Sequence, residues 1–243
     1  MTESAGPEGP LSWPELPLLF PDLEEPGRWL PLLERHAAIL AEAAPRVRVT
    51  SVAAAASVRR HYAESLELLR IIRAQSGGET LADIGSGGGF PGLVIAAVEP
   101  DLSVHLVEPL QKRARLLEEA AAALGLSNVT IHAQRAEDAG RGPLRETMAV
   151  VAARAVAPLA EVLEYTAPFA APGGLIALPK GSGLAAELAA ATNAMASLAA
   201  GEPLIVPMRG EVSPMLSVLL LRKLGPTPAA FPRRAGLPAK RPL

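Results

Sequence analysis

A ten-residue glycine-rich segment, residues 83–92 (DIGSGGGFPG), constrains the fold of this chain more than any other feature. A strand-like apolar run over 81–85 leads into it, and a helical pattern near 91–98 follows it. Glycine lets the backbone adopt positive φ and approach a ligand closely, and Pro91 suits the first turn of a helix. This segment, called the glycine loop below, therefore predicts a ligand-binding turn between a strand and a helix of an α/β sheet.

The rest of the chain agrees with an α/β fold. Strands separated by helices indicate a mostly parallel sheet with right-handed crossovers, and the short connection between the last two strands predicts an antiparallel edge strand. We expect a Rossmann-like domain over 76–223, a Pro-rich segment and helical cap over 1–75, and a basic Pro-rich tail over 224–243 without regular structure. Strand-like runs lie at 103–108, 128–133, 147–154, 174–180, 204–208 and 215–223, and helical patterns at 28–44, 56–74, 110–124, 157–169 and 182–200.

Two carboxylates limit which ligand the glycine loop can bind. Residues 87–92 match the G-x-G-x-x-G pattern of dinucleotide sites, but Asp83, two residues before Gly85, would repel a pyrophosphate. A carboxylate suits the cationic ammonium and sulfonium groups of S-adenosylmethionine instead. Glu108, which ends the second strand, can accept both hydroxyls of a ribose, as NAD sites also require. We therefore expect S-adenosylmethionine as the cofactor, with NAD as the rival.

Three cations, Arg135, Arg154 and Lys180, follow the third, fourth and fifth predicted strands. Ligands of doubly wound sheets bind beyond the carboxyl ends of the strands, so the three cations are expected on one rim, beside an anionic or purine substrate. The chain contains no Cys, which excludes C5 methylation of pyrimidines through a thiolate. No N-P-P-[YFW] motif for exocyclic amines follows the fourth strand. Guanine N7 has its own lone pair and needs no general base, so alignment and positive charge would suffice for catalysis.

The net charge of −2 is distributed unevenly along the chain. Residues 46–74 carry six Arg against two Glu, and residues 222–243 carry six basic residues and no acidic one. This layout favours an RNA partner bound mainly through phosphates, with an affinity that falls as salt rises. The N-terminus lacks the features of a signal peptide and no run is long enough for a membrane span. We expect a cytoplasmic, monomeric protein that binds neither a metal nor a membrane.

These motifs resemble those of the ribosomal RNA small subunit methyltransferase G family, also called the glucose-inhibited division protein B family. The resemblance covers about residues 47–243, and Arg48 departs from it where the family commonly has Asn. It implies a Rossmann-like class I S-adenosylmethionine-dependent methyltransferase acting on N7 of one guanine, usually numbered 527, in the decoding-region loop of 16S rRNA. The matching segments are VTSV (49–52), RRHYAESL (59–66), LADIGSGGGFPGLVIA (81–96), LVEPLQKRARLLEE (106–119), QRAEDA (134–139), ARAVAPL (153–159), LPKG (178–181) and PTPAAFPRRAGLPAKRPL (226–243).

The residue patterns and the resemblance together imply a set of site residues. Catalytic roles are expected for Arg135, Arg154 and Lys180. Contacts with RNA are expected from Arg60, His61, Arg154, Lys180, Arg233 and Arg234. Contacts with the cofactor are expected from Asp83, Gly85, Gly87, Phe90, Glu108, Pro109, Leu110, Ala136, Glu137 and Arg154.

Three alternative functions remain open at this point. A methyltransferase acting on another RNA or on a small molecule is the nearest of them. An NAD-dependent oxidoreductase is disfavoured by Asp83 and by the lack of an evident acid for hydride transfer. A non-catalytic RNA-binding module would leave the glycine loop and Glu108 without a role.

Overall fold

A computed structural model describes residues 10–50 and 52–243 of the chain. Its seven strands are β1 Thr80–Ile84, β2 Ser103–Val107, β3 Val129–His132, β4 Met148–Ala152, β5 Ala170–Lys180, β6 Leu204–Pro207 and β7 Ser217–Arg222. They form one sheet in the order β3-β2-β1-β4-β5-β7-β6. The first five strands are parallel, and β7 pairs antiparallel with both β5 and β6. The predicted Rossmann-like sheet with its antiparallel edge is therefore confirmed, and β7 lies inside that edge rather than at it.

The helices cover both faces of the sheet. They are α1 Leu16–Leu19, α2 Pro26–Ala43, α3 Ala54–Ser57, α4 Glu64–Arg73, α5 Gly92–Val98, α6 Gln111–Leu124, α7 Ala136–Ala139, α8 Leu159–Thr166, α9 Leu184–Ala190, α10 Thr192–Ser197 and α11 Leu237–Lys240. Alternate strand residues face opposite layers: Leu81 packs with the helices α2, α4, α5 and α6, and Ala82 packs with α8, α9 and α10. This alternation follows from the pleat of a strand. The N-terminal helices therefore share the core of the sheet.

A π-helical turn, Val58–Ala63, separates α3 from α4 where the sequence predicts one continuous helix over 56–74. The wider turn brings His61 and Tyr62 against Phe90 of the glycine loop, with ring centroids 4.4 and 5.2 Å apart. The spacing of apolar residues does not distinguish a π-helical turn from an α-helical turn, because the π-helical turn inserts only one extra residue into the helical repeat. The turn connects the N-terminal cap with the glycine loop.

The tail is docked on the domain, and the expectation that it has no regular structure is wrong at α11. Proline is tolerated in the first turn of a helix, which explains why Pro238 does not prevent α11. Arg233 donates to the buried carboxylate of Glu164, with Nη2 2.6 Å from Oε2. The Gly236 amide donates to Glu137 Oε1 at 2.7 Å. Arg233 thus fixes the tail to α8 and is not a free cation for RNA, in contrast to the sequence-based expectation.

Within the described residues, no helix combines the length and the apolar character that crossing a membrane requires.

Candidate active site

A cleft of about 900 Å³ opens beyond the carboxyl ends of β1, β4 and β5. Its walls come from the glycine loop, the segment after β4, the end of β5, the segment between α2 and α3, and the π-turn. A volume of this size is typical of ligand sites, and this position is where doubly wound sheets bind their ligands. Side chains that line the cleft include Arg48, Val49, Thr50, Arg60, His61, Glu64, Phe90, Arg113, Arg154, Val156, Lys180 and Glu187.

The glycine loop takes a backbone path that other residues rarely adopt. Gly85, Gly87 and Gly89 have φ values of +75°, +56° and +92°. At Gly85 a side chain would also collide with the loop after β4, because its Cβ would lie 2.9 Å from Val156 Cγ2. The loop therefore presents bare backbone to the cleft, as close contact with a ligand requires.

Two buried carboxylates flank the glycine loop. Asp83 Oδ2 accepts a hydrogen bond of 3.0 Å from the Gly92 amide, while Oδ1 has no partner among the described residues. Burial raises the pKa of Asp83 to about 6. Glu108 accepts hydrogen bonds of 2.9 Å from the amides of Gly87 and Leu110, and each of its oxygens keeps a second lone pair. An unpartnered buried carboxylate oxygen and a second carboxylate fixed beside it fit a cationic ligand with ribose hydroxyls, such as S-adenosylmethionine.

Arg154 is held inside the cleft wall by several partners. Its Nη1 donates to the Arg60 carbonyl at 2.7 Å and lies 3.4 Å from Glu64 Oε2, while Nη2 donates to His61 Nδ1 at 3.0 Å. The guanidinium lies over the Phe90 ring, 5.4 Å from its centroid. Burial raises the pKa of Glu64, and Arg154 and Arg60 oppose that rise. Arg154 therefore supplies a positive charge to the cleft from a fixed position.

Lys180 lines the same cleft, but Arg135 does not. Lys180 Nζ donates to Glu187 Oε2 at 2.7 Å and to the Ala157 carbonyl at 3.1 Å. Arg135 has an exposed side chain at the start of α7, after β3. The expected convergence of three cations is thus wrong for Arg135, because β3 is the edge strand and β2 and β1 separate it from β4.

The other expected site residues have different surroundings. Arg60 lines the cleft, with Nε 3.1 Å from Glu64 Oε1. His61 lines the cleft, is 7% exposed and has both ring nitrogens bonded within the protein, so neither nitrogen is free for an RNA contact in this arrangement. Glu137 is buried under the tail. Ala136 is half-buried at the start of α7, Pro109 and Leu110 are exposed after Glu108, and Arg234 is exposed on the tail.

His36 supports the glycine loop, although sequence reasoning did not identify it as a site residue. Its Nε2 donates to the Gly88 carbonyl at 3.0 Å, and its Nδ1 lies 3.3 Å from the Tyr62 hydroxyl. The ring also packs against Phe90, with centroids 5.2 Å apart. The sequence feature that could have identified His36 is its place as a polar residue on the apolar face of α2, between Leu33 and Leu40.

Acid is expected to destabilise the protein through His36. Burial lowers the pKa of His36 from 6.5 to about 4, so the unfolded chain binds this proton more tightly than the folded chain. The stabilising contribution is complete above the unfolded pKa and is lost as pH falls from 6.5 to about 4. The His36→Gln variant keeps an amide donor but does not titrate. Its free energy of unfolding should vary less with pH than that of the wild type, by up to about 1.4 kcal/mol per pH unit.

Denaturant unfolding at several pH values, at constant ionic strength, measures this difference. Asp83 acts in the opposite direction, because burial raises its pKa from 3.8 to about 6 and its protonation favours the folded state as pH falls through that range. The comparison with His36→Gln removes this contribution, because both proteins contain Asp83. Parallel curves for the two proteins between pH 6.5 and about 4 would contradict the role assigned to His36.

Comparison with protein families finds one matching model, described as rRNA small subunit methyltransferase G, over residues 30–214. A curated protein of Roseiflexus castenholzii named ribosomal RNA small subunit methyltransferase G is 41% identical over 203 residues, covering 82% of this chain and 85% of that protein. A protein of the same name from Dehalococcoides mccartyi is 38% identical, with the same coverage. One from Sorangium cellulosum is 42% identical over 175 residues, covering 72% of this chain and 71% of the relative.

Among solved structures, cofactor-bound Rv0187 from MTB superposes with a TM-score of 0.54 at 18% identity, covering 80% of this chain and 90% of that one. A SAM-dependent methyltransferase from Aquifex aeolicus gives a TM-score of 0.51 at 15% identity, covering 69% of this chain and 92% of that one. At such low identity these similarities bear on the fold alone.

Proposed function

The chain belongs to the rRNA small subunit methyltransferase G family, and from this premise we propose that it transfers the methyl group of S-adenosylmethionine to N7 of guanine 527 in 16S rRNA. The family resemblance inferred from the motifs is confirmed. The family membership makes the chain an S-adenosylmethionine-dependent methyltransferase of small-subunit rRNA. The choice of one guanine and of its N7 atom is the step that the proposal adds.

The observation that carries the proposal is the pairing of a carboxylate-flanked glycine loop with two half-buried cations in one cleft. Asp83 and Glu108 offer oxygens to the ammonium group and to the ribose of the cofactor. Arg154 and Lys180 line the same cleft as Gly85 and Gly87 of the glycine loop, and a purine can enter there. Nucleophilic attack by guanine N7 requires no proton transfer from that atom, so a cleft with cations and no free histidine is sufficient.

Bound S-adenosylmethionine supplies an electrophilic methyl group on a positively charged sulfur. The glycine loop exposes backbone to the ligand, and the amides of Gly87 and Leu110 fix the Glu108 carboxylate for the ribose. Arg154 and Lys180 are expected to orient the base and to stabilise its carbonyl oxygen through their positive charge. The His61 ring does not act as a base, since its Nδ1 already accepts from Arg154.

The cations at the mouth of the cleft are proposed as contacts for the RNA backbone. Arg48 and Arg60 are exposed there, and Lys180 lies deeper in the cleft. Arg234 is exposed on the tail, whereas the neighbouring Arg233 is engaged by Glu164. Recognition of the RNA is therefore proposed to depend on phosphate contacts and on the shape of the RNA.

Within residues 10–50 and 52–243, no group of three or more His, Cys, Asp or Glu side chains could hold a metal ion.

The proposed function is tested by mapping the methyl group. Small-subunit particles and protein-free 16S rRNA, both from cells lacking this activity, are incubated with labelled S-adenosylmethionine, cleaved chemically at N7-methylguanine and read by primer extension. A single stop at guanine 527 is expected on one of the two substrates. Arg115→Ala, which alters an exposed arginine of α6 outside the cleft, serves as the control and should give the same stop.

Three outcomes would contradict the proposal. A stop at another nucleotide would assign a different target, and incorporation without cleavage would exclude N7. If neither substrate incorporates label although calorimetry detects binding of S-adenosylmethionine, the methyl acceptor must be another RNA or a small molecule.

A further inference from the structure

A chain of hydrogen bonds leads from Arg154 through His61 to Thr50 on the cleft wall. Arg154 Nη2 lies 3.0 Å from His61 Nδ1, and His61 Nε2 lies 2.8 Å from Thr50 Oγ1. A guanidinium only donates, so Nδ1 of His61 must be the acceptor. Burial and the neighbouring arginines lower the pKa of His61 to about 4, so the ring is neutral and carries its single proton on Nε2. His61 therefore donates to the Thr50 oxygen.

The Thr50 oxygen accepts a second hydrogen bond from the backbone. The Val52 amide lies 3.0 Å from Thr50 Oγ1. A hydroxyl oxygen has two lone pairs and one hydrogen. Both lone pairs are occupied, by His61 and by Val52, so the hydroxyl hydrogen remains for a third partner. Thr50 is exposed and lines the cleft, and it therefore presents a donor but no free acceptor to whatever binds there.

A side chain that can only donate distinguishes between the two purines. Beside N7, guanine presents O6, an acceptor, whereas adenine presents the N6 amino group, a donor. When guanine N7 faces the methyl group, O6 is the remaining acceptor on that edge of the base. An adenine in the same position would direct its amino group toward a hydroxyl with no lone pair to offer.

We propose that Thr50 is a specificity-determining residue that donates a hydrogen bond to O6 of the target guanine and disfavours adenine at that position. This inference rests on the proposed methylation of guanine N7. The Thr50 hydroxyl does not exchange a proton with the base. Its hydrogen bond therefore orients the guanine and adds no chemical step to the methyl transfer. Arg154 and His61 act on this selection as positioning residues, because they fix the direction in which the hydroxyl donates.

The test pairs Thr50→Val, which keeps the side-chain shape and removes the donor, with a change in the RNA. 16S rRNA carries either guanine or 2-aminopurine at the mapped site, and it is supplied in the form, protein-free or assembled in the particle, that the wild type methylates in the mapping experiment; 2-aminopurine retains N7 and lacks O6. Single-turnover methylation at subsaturating enzyme is measured for both RNAs. The wild type should methylate the 2-aminopurine RNA roughly tenfold to a hundredfold more slowly than the guanine RNA, which is the range expected for losing one specific base contact. Thr50→Val should be slower than the wild type by a similar factor on guanine, and its preference for guanine over 2-aminopurine should be smaller than that of the wild type, because only the contacts of Arg154 and Lys180 with O6 remain.

Two further variants control for changes in folding and hydrophobicity. Thr50→Ser keeps the hydroxyl and should retain the preference for guanine. Thr130→Val makes the same chemical change at an exposed position of β3 and should behave as the wild type. The dissociation constant for S-adenosylhomocysteine is measured by calorimetry for every variant and should stay within about twofold, a difference of less than 0.5 kcal/mol.

Several results would overturn this inference. If the wild type methylates 2-aminopurine as fast as guanine, no contact with O6 contributes, whatever the variants do. If Thr50→Val methylates both RNAs more slowly than the wild type by the same factor, the effect of the substitution is not coupled to O6. A tenfold weaker binding of S-adenosylhomocysteine by Thr50→Val would assign the hydroxyl to the cofactor carboxylate instead. Failure of the proposed function is distinguished from these results, because the wild type would then give no N7-methylguanine on the guanine RNA.

Discussion

The Arg154→Met variant is expected to lose methyl transfer by roughly a hundredfold or more and to unfold about 3 kcal/mol more easily. The loss of stability has an electrostatic cause. Glu64 is 4% exposed and pairs with Arg154 and Arg60, so removing Arg154 leaves a buried carboxylate with one cation and the Ser213 hydroxyl. Burial already raises the pKa of Glu64. Without Arg154, Glu64 should bind a proton at higher pH, and the deficit in stability should be smaller at acidic than at alkaline pH.

The loss of activity has a second cause, because Arg154 fixes other residues of the cleft. Its guanidinium orients His61, packs over Phe90 and is one of the two half-buried cations beside the expected base position. Methionine keeps the apolar stem and removes all of these contacts. Single-turnover methylation and denaturant unfolding of the same preparations measure the two effects separately.

The double variant Arg154→Met with Glu64→Gln separates stability from activity. Neutralising Glu64 removes the unpaired charge, so most of the lost free energy of unfolding should return, while methylation should stay low. If the double variant is as unstable as the single one, the ion pair does not account for the stability. If raised pH restores methylation to Arg154→Met, the reaction needs a deprotonation that Arg154 assists, contrary to the proposed mechanism.

The position of the glycine loop could be predicted from the sequence because its determinants are local. The loop follows a short apolar strand and precedes an apolar helix. A run of glycines between two such elements is typical of a turn that brings its backbone close to a ligand. The carboxylates Asp83 and Glu108 were identified for the same reason, since each lies at a strand end in the sequence. Arg154 follows the end of β4 and Lys180 is the last residue of β5, and the parallel pairing of these strands brings both to the cleft.

The roles that could not be predicted depend on contacts between distant segments. Arg135 follows a strand as Arg154 does, but only the strand order shows that β3 lies at the edge. Arg233 was expected to contact RNA because the tail has no acidic residue, yet its partner Glu164 lies 69 residues earlier. His36 reaches Gly88 from a helix that has no spacing relation to the glycine loop. Charge and periodicity describe one segment at a time, so they do not reveal such partners.

The Gly92→Ala variant is expected to unfold about 2 to 3 kcal/mol more easily and to bind S-adenosylhomocysteine at least tenfold more weakly. A Cβ at this position, where α5 begins, would overlap Leu106 Cδ2 and lie 2.8 Å from Asp83 Oδ2 and 3.0 Å from Asp83 Cβ. Gly92 φ is not positive, so backbone strain is not the reason. Leu106 of β2 is fully buried and has little room to shift, so relief of the overlap is expected to move α5 away from β1 and β2. This movement lengthens the hydrogen bond from the Gly92 amide to Asp83 and displaces the carboxylate expected to bind the cofactor.

The same substitution at Gly27 is the matched control, because this glycine also lies near the start of a helix and its Cβ would have no atom within 4 Å. Alanine there should stabilise the protein by roughly 0.5 to 1 kcal/mol through its higher helix propensity and should leave calorimetric binding unchanged. The contrast isolates the close packing of α5 on β1, since both variants add one methyl group to a helix. If Gly92→Ala unfolds and binds as Gly27→Ala does, α5 can shift without cost, and the Asp83 carboxylate does not depend on the Gly92 amide for its position.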